Sequence, residues 1–147
     1  MSYTSLDYHI VFSTREREPS LEADHLERLA SYLGGIIRES GGALLGANGP
    51  ADHIHLVVSL PPTLALADLL RTLKATSSKW IHETFAELRE FAWQDGYAAF
   101  TVSRSVRPTV LKYVADQQNH HQRMSFTEEL VKLLDKHGIK YDMKYLK

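Results

Sequence analysis

The chain has 147 residues, 44% of them hydrophobic and 24% charged, which suits one compact domain with a real core and excludes a disordered polyelectrolyte. No apolar run approaches the ~20 residues that a membrane-spanning helix needs, and "MSYTSLDYHIVF" lacks a basic stretch leading into an apolar one, so no membrane partner and no export signal are expected and the cytoplasm is the expected location. Cysteine is absent, which removes disulfides and thiolate metal sites, and a net charge of −1 removes a uniformly basic nucleic-acid binder.

The charge is unevenly spread. Residues 1–100 carry 13 acids against 8 Lys and Arg, whereas residues 101–147 carry 5 acids against 9. A second basic group, Arg71, Lys74 and Lys79, lies within the acidic part. Phosphate contacts need local rather than global positive charge, although on charge alone these residues read equally as solvated helix faces.

No repeat or long linker divides the chain, so residues 1–147 read as a single domain. Residues 3–14 alternate and are rich in Tyr, Val, Ile and Phe, which predicts a strand. Ser20 is placed to cap a helix whose apolar stripe is Leu26, Leu29, Leu33, Ile36 and Ile37, ended by the glycines at 41–42. A short strand over 43–47, the turn "NGPAD" and a returning strand over 53–60 follow, stopped by Pro61 and Pro62. A helix is predicted over about 64–88, then a turn at Asp95-Gly96 and a fourth strand over 97–103. Ser105 and Pro108 suit the first turn of a helix running through "TVLKYVADQQNHH". A last amphipathic helix spans about 125–137 on Leu130, Leu133 and Leu134, and the tail "IKYDMKYLK" is basic and aromatic. The order β-α-β-β-α-β plus two helices is the α+β, ferredoxin-like split βαβ arrangement, an antiparallel sheet with helices on one face. That fold hosts many functions and decides none.

"DHIHLVV" (52–58) is the first stretch with chemistry. On a strand His53 and His55 project to one face, and Ile54 and Leu56 to the other. Two adjacent imidazoles can share a divalent cation; the plainer reading is two polar residues on a solvated face. Tyr113 and Gln117 stand four apart on one helical face, with His120 and His121 a turn further on. Core packing does not call for such a stripe, yet a core tyrosine beside a solvated edge is an equal alternative.

The segments "DHIHLVVSLPP", "LLRTLKATSSKWI", "FAWQDGYAAFTVS" and "YVADQQNHHQ" resemble, in that order, those of the single-tyrosine HUH transposases of small bacterial insertion sequences. That group includes the domesticated transposases associated with repetitive extragenic palindromes. "FTEELVKLLDKHGIKYDMKYL" also resembles the family's C-terminal region, so nearly the whole chain is covered. The HUH motif is His53-Ile54-His55; the resemblance assigns the nucleophile to Tyr113 and the third metal ligand to Gln117. It implies metal-dependent cleavage and strand transfer of single-stranded DNA through a 5′-phosphotyrosine intermediate, at sites flanked by hairpins or palindromic ends, by a homodimer.

The residue types suit that chemistry. A phenol with an ordinary pKa near ~10 needs activation to attack phosphorus, and mixed nitrogen and oxygen ligands suit Mg²⁺ or Mn²⁺. Asp52 either orients a histidine, ligates the ion or merely closes the turn. His120 and His121 assist proton transfer or contact phosphate. Arg71, Lys74, Lys79, Lys112 and Arg123 are the expected DNA-backbone contacts. Trp93, Tyr97 and Phe100 offer stacking surfaces for unpaired bases, with Phe100 expected in the core. Two other readings compete. Histidine-triad hydrolases share a His-x-His strand but need another His where Val57 stands. A domesticated relative would bind hairpin DNA or RNA without transposition activity.

Overall fold

The computed structural model describes residues 1–121 and 123–146, and the side chains of His120 and His121 lie outside the described atoms. The main elements are β1 (Asp7–Ser13), α1 (Ala23–Glu39), β2 (Ala43–Asn48), β3 (His53–Ser59), α2 (Leu66–Thr84), β4 (Ala98–Val102), α3 (Arg107–Ala115), α4 (Gln117–His121) and α5 (Phe126–Lys136). The strands form one four-stranded sheet in the order β2-β3-β1-β4, every neighbouring pair antiparallel. This is the ferredoxin-like arrangement expected from the order of elements.

Alternation along the strands gives the sheet two unlike faces. Ile10, Phe12, Ile54, Leu56 and Val58 project to one side and meet Leu29, Leu33 and Ile37 of α1 and Leu69, Leu70, Leu73 and Ile81 of α2, forming the main core. The opposite side carries His9 and Val11 from β1, His53 and His55 from β3, and Phe100 from β4. The register pairs Val11 with His55 and His9 with Phe100, which sets these residues side by side. A smaller cluster, Val11, Phe100, Phe126 and Leu134, seats α5 on this second face. One face of the sheet therefore supplies most of the packing and the other holds the polar groups.

Several boundaries differ from the sequence expectations. The first strand begins at Asp7, not residue 3. Glu22, not Ser20, caps α1: it forms a reciprocal capping box with His25, and Ser20 Oγ donates to the Glu18 carbonyl instead. The helix predicted over 64–88 ends at Thr84, because Phe85 takes an extended conformation (ψ 107°), and a separate 3-10 turn covers Ala86–Leu88. The helix expected to run through His121 breaks at Asp116 (ψ 21°), whose backbone N–H is shared among the carbonyls of Lys112, Tyr113 and Val114. The Asp116 side chain accepts from Asn119 Nδ2 at 2.6 Å, a local bond of the kind that competes with helix continuation.

The β2–β3 turn is tight. A Cβ on Gly49 would lie 2.2 Å from the His53 carbonyl oxygen and 3.0 Å from Ile54 Cα, so only glycine fits without moving the start of β3. A Cβ on Gly46, beside the register shift in β2, would lie 2.8 Å from Leu111 Cδ2, so α3 packs closely over this strand.

Candidate active site

β3 places His53 and His55 on the second face, both fully buried rather than solvated. Beyond the sheet, α3 brings up Tyr113 and α4 brings up Gln117, which is also fully buried. The break at Asp116 leaves these two within reach of each other, Gln117 Nε2 lying 3.5 Å from the Tyr113 carbonyl oxygen.

The group on which all four converge is Glu129 of α5, only 1% exposed. Glu129 Oε1 lies 3.0 Å from His53 Nε2 and 2.9 Å from His55 Nε2. Its other oxygen accepts from the Tyr113 hydroxyl and, at 3.1 Å, from Gln117 Nε2. Asp52 Oδ1 holds His53 Nδ1 at 2.8 Å, and His9 Nε2 meets His55 Nδ1 at 2.8 Å. The Phe126 ring packs 4.4 Å from that of His53.

Sequence reasoning missed Glu129 and His9, and each left a signal. Glu129 falls within the apolar stripe of Phe126, Leu130 and Leu133, where a charge is out of place. His9 falls between Asp7 and Val11 on the face of β1 opposite Tyr8, Ile10 and Phe12.

These surroundings shift the titrating groups. Burial and the neighbouring His55 push His9 down to about 3, so it is neutral. For His53 burial lowers proton affinity, but hydrogen bonds to Asp52 and Glu129 outweigh it and the net shift is upward. Burial and the Glu129 carboxylate raise Tyr113 well above the ordinary phenol range. Tyr113 is therefore a held phenol rather than a free phenolate.

The donor set could hold a divalent cation. The ligand atoms of His53, His55 and Glu129 lie within 4.8 Å of one another. Gln117 Oε1 is buried and has no hydrogen-bond partner among the described residues. Octahedral ligands about 2.1 Å from a common centre are about 3.0 Å apart along each edge, which is the spacing between Glu129 Oε1 and the two imidazole nitrogens.

Other expected site residues are dispersed. Arg71, Lys74 and Lys79 lie on α2, across the sheet from the histidines. Arg71 is exposed and paired with Asp68 at 3.1 Å. Lys74 is engaged with the loop before β4, donating to the carbonyls of Gln94 at 2.6 Å and Gly96 at 2.7 Å, and burial lowers its pKa. Lys112 and Arg123 are exposed on the Tyr113 side of the sequence, in α3 and between α4 and α5. Trp93 is a core residue donating to Ser77 Oγ, Phe100 is in the core as expected, and Tyr97 is exposed. Nothing is described for the side chains of His120 and His121. A cleft of about 470 Å³ opens beside Tyr113 and Glu129, walled by Phe100, Val110 and Leu133 and edged by Lys132 and Lys136. Those two lysines of α5 were also missed.

The sheet carries a His-hydrophobic-His strand opposite a helical tyrosine, and the IS200-like transposases, which are DNA-processing enzymes, match residues 2–117. The chain belongs to that family. It is 26% identical over 119 residues to the ISDra2 transposase TnpA of Deinococcus radiodurans, covering 78% of this chain and 85% of that protein. It is 31% identical over 104 residues to the IS200 transposase of Salmonella typhimurium, covering 67% of this chain and 68% of that one. Among solved structures, a candidate transposase of Deinococcus radiodurans R1 superposes with a TM-score of 0.66 at 24% identity, over 79% of this chain and 93% of that one. A REP-associated tyrosine transposase bound to a REP hairpin gives 0.62 at 14% identity, over 82% and 72%. At those identities the two structures speak for the fold. Among the described residues no helix is long and apolar enough to cross a membrane.

Proposed function

We propose that this transposase cuts and rejoins single-stranded DNA beside hairpin or palindromic ends, with Tyr113 as nucleophile. The observation that carries the reading is the convergence of Tyr113, His53, His55 and Gln117 on one buried carboxylate. In the cutting step the Tyr113 oxygen bonds to phosphorus, the bond from phosphorus to the 3′ oxygen breaks, and the phenol proton ends on that oxygen. The products are a 5′-phosphotyrosine and a free 3′-OH. Attack by a 3′-OH reverses the step and releases Tyr113, so energy is stored in the covalent link and no nucleotide cofactor is needed.

His53, His55 and Gln117 would hold a Mg²⁺ or Mn²⁺ ion, which when bound polarises the scissile phosphate and offsets charge developing on its oxygens. Asp52 fixes the orientation of His53 by accepting its Nδ1 proton. His9 supports His55 in the same way. Lys112 and Arg123 are the proposed backbone contacts near the nucleophile, while Arg71 and Lys79 are suited only to DNA reaching around to the α2 side. A homodimer is part of this proposal, although the tyrosine and the histidine pair already meet within one chain. The location proposed is the cytoplasm.

The test is a labelled single-stranded hairpin incubated with Mn²⁺ and resolved on a denaturing protein gel. A covalent band should form with the native chain and vanish in Tyr113→Phe, whose native-gel shift should persist. Undiminished adduct in that variant overturns the assignment. A native shift with no covalent band from the unaltered chain supports the DNA- or RNA-binding alternative, and free nucleotide products support a hydrolase. Against the hydrolase, Val57 stands on the face of His53 and His55 where the histidine-triad nucleophile would be needed.

A further inference from the structure

α5 begins after residue 117, where the family match ends, yet it delivers the residue on which the whole site converges. A carboxylate almost removed from water is costly unless every lone pair is engaged. Among the described residues, the partners of Glu129 include the proposed ligands and the proposed nucleophile.

Asp52 Oδ1 holds His53 Nδ1, which turns His53 Nε2 toward Glu129 Oε1, 3.0 Å away. His55 Nε2 faces the same oxygen at 2.9 Å, so two nitrogens and one oxygen surround one spot. On the far oxygen the Tyr113 hydroxyl and Gln117 Nε2 are both donors.

We infer that Glu129 is itself a ligand of the divalent cation through Oε1, and that its Oε2 holds the Tyr113 hydroxyl beside that cation, so α5 completes the catalytic centre. The inference builds on the metal site of the proposed function. It makes Gln117 the residue that orients the carboxylate through Nε2, with Gln117 Oε1 left as a further ligand atom for the cation.

The test measures Mn²⁺ affinity of the full chain by electron paramagnetic resonance of free Mn²⁺, without DNA, for the native chain, Glu129→Gln, Glu129→Asp and His53→Ala. Circular dichroism checks that each variant is folded. Glu129→Gln keeps the shape but removes the charge. It should weaken Mn²⁺ binding by more than about tenfold, the lower end of what losing even an outer-shell partner costs. Glu129→Asp should recover part of the affinity. At saturating Mn²⁺, adduct formation should stay slow in Glu129→Gln and be partly restored in Glu129→Asp, since Tyr113 is held by the same carboxylate. Native affinity in Glu129→Gln together with loss in His53→Ala overturns the inference and leaves the proposed function standing. Tighter binding or faster adduct formation in Glu129→Gln also overturns it, because the carboxylate would then be a plug in the site. Absence of Mn²⁺ binding by the native chain overturns the inference together with the metal part of the proposed function.

Discussion

Arg107→Ala tests how the helix of the proposed nucleophile is anchored. Arg107 opens α3, and its guanidinium grips Asp7 at the start of β1, with Nη2 at 2.7 Å and Nε at 2.8 Å from Oδ2. Asp7 is 2% exposed, and its Oδ1 has no hydrogen-bond partner among the described residues. Removing the guanidinium strands a buried carboxylate, which costs about 3–5 kcal/mol. Against a total stability of about 5–15 kcal/mol for a domain, that is a large share. At about 3 °C per kcal/mol for a chain of this size, Tm should fall by about 10–15 °C. Urea denaturation followed by circular dichroism gives the free energy directly. The double variant Asp7→Asn with Arg107→Ala should be more stable than Arg107→Ala alone, because the stranded charge is gone. Adduct formation should fall in Arg107→Ala at temperatures where the chain is still folded, since α3 carries Tyr113. A loss below about 1 kcal/mol, the range of exposed pairs, would refute the reasoning.

Two further predictions concern the second face and the hairpin beneath it. His9 is neutral when folded, with its pKa lowered to about 3 from 6.5, so between those values the unfolded chain binds more protons and stability falls as pH falls. In metal-free protein, His9→Gln should flatten the fall between these limits by up to about 1.4 kcal/mol per pH unit, as read by urea midpoints; an unchanged slope counts against it. The upward shift of His53 acts above 6.5, outside that window. Gly49→Ala forces a Cβ against the His53 carbonyl and should cost about 1–3 kcal/mol in thermal unfolding while weakening Mn²⁺ binding. An unchanged Tm would show that the turn has slack.

What was legible in the chain follows from which patterns are local. The split βαβ order, the shared face of His53 and His55 and the one-turn spacing of Tyr113 and Gln117 depend on backbone periods of two and 3.6. Glu129 escaped because apolar periodicity passes over a charge set within the stripe, and because its histidine partners lie 76 and 74 residues away. The hold of Lys74 on the loop before β4 was not legible, because a cation on an amphipathic helix looks solvated until that loop folds beside it. The side of the sheet on which α2 lies is tertiary information, which is why Arg71 and Lys79 were grouped with residues across the sheet.

Asp52 and Glu129 bracket His53 from both ends of its ring, so the imidazole cannot turn about its Cβ–Cγ bond without giving up both contacts. The ring is thus held in one orientation by the folded chain itself, and the entropy of fixing it is lost on folding rather than on binding.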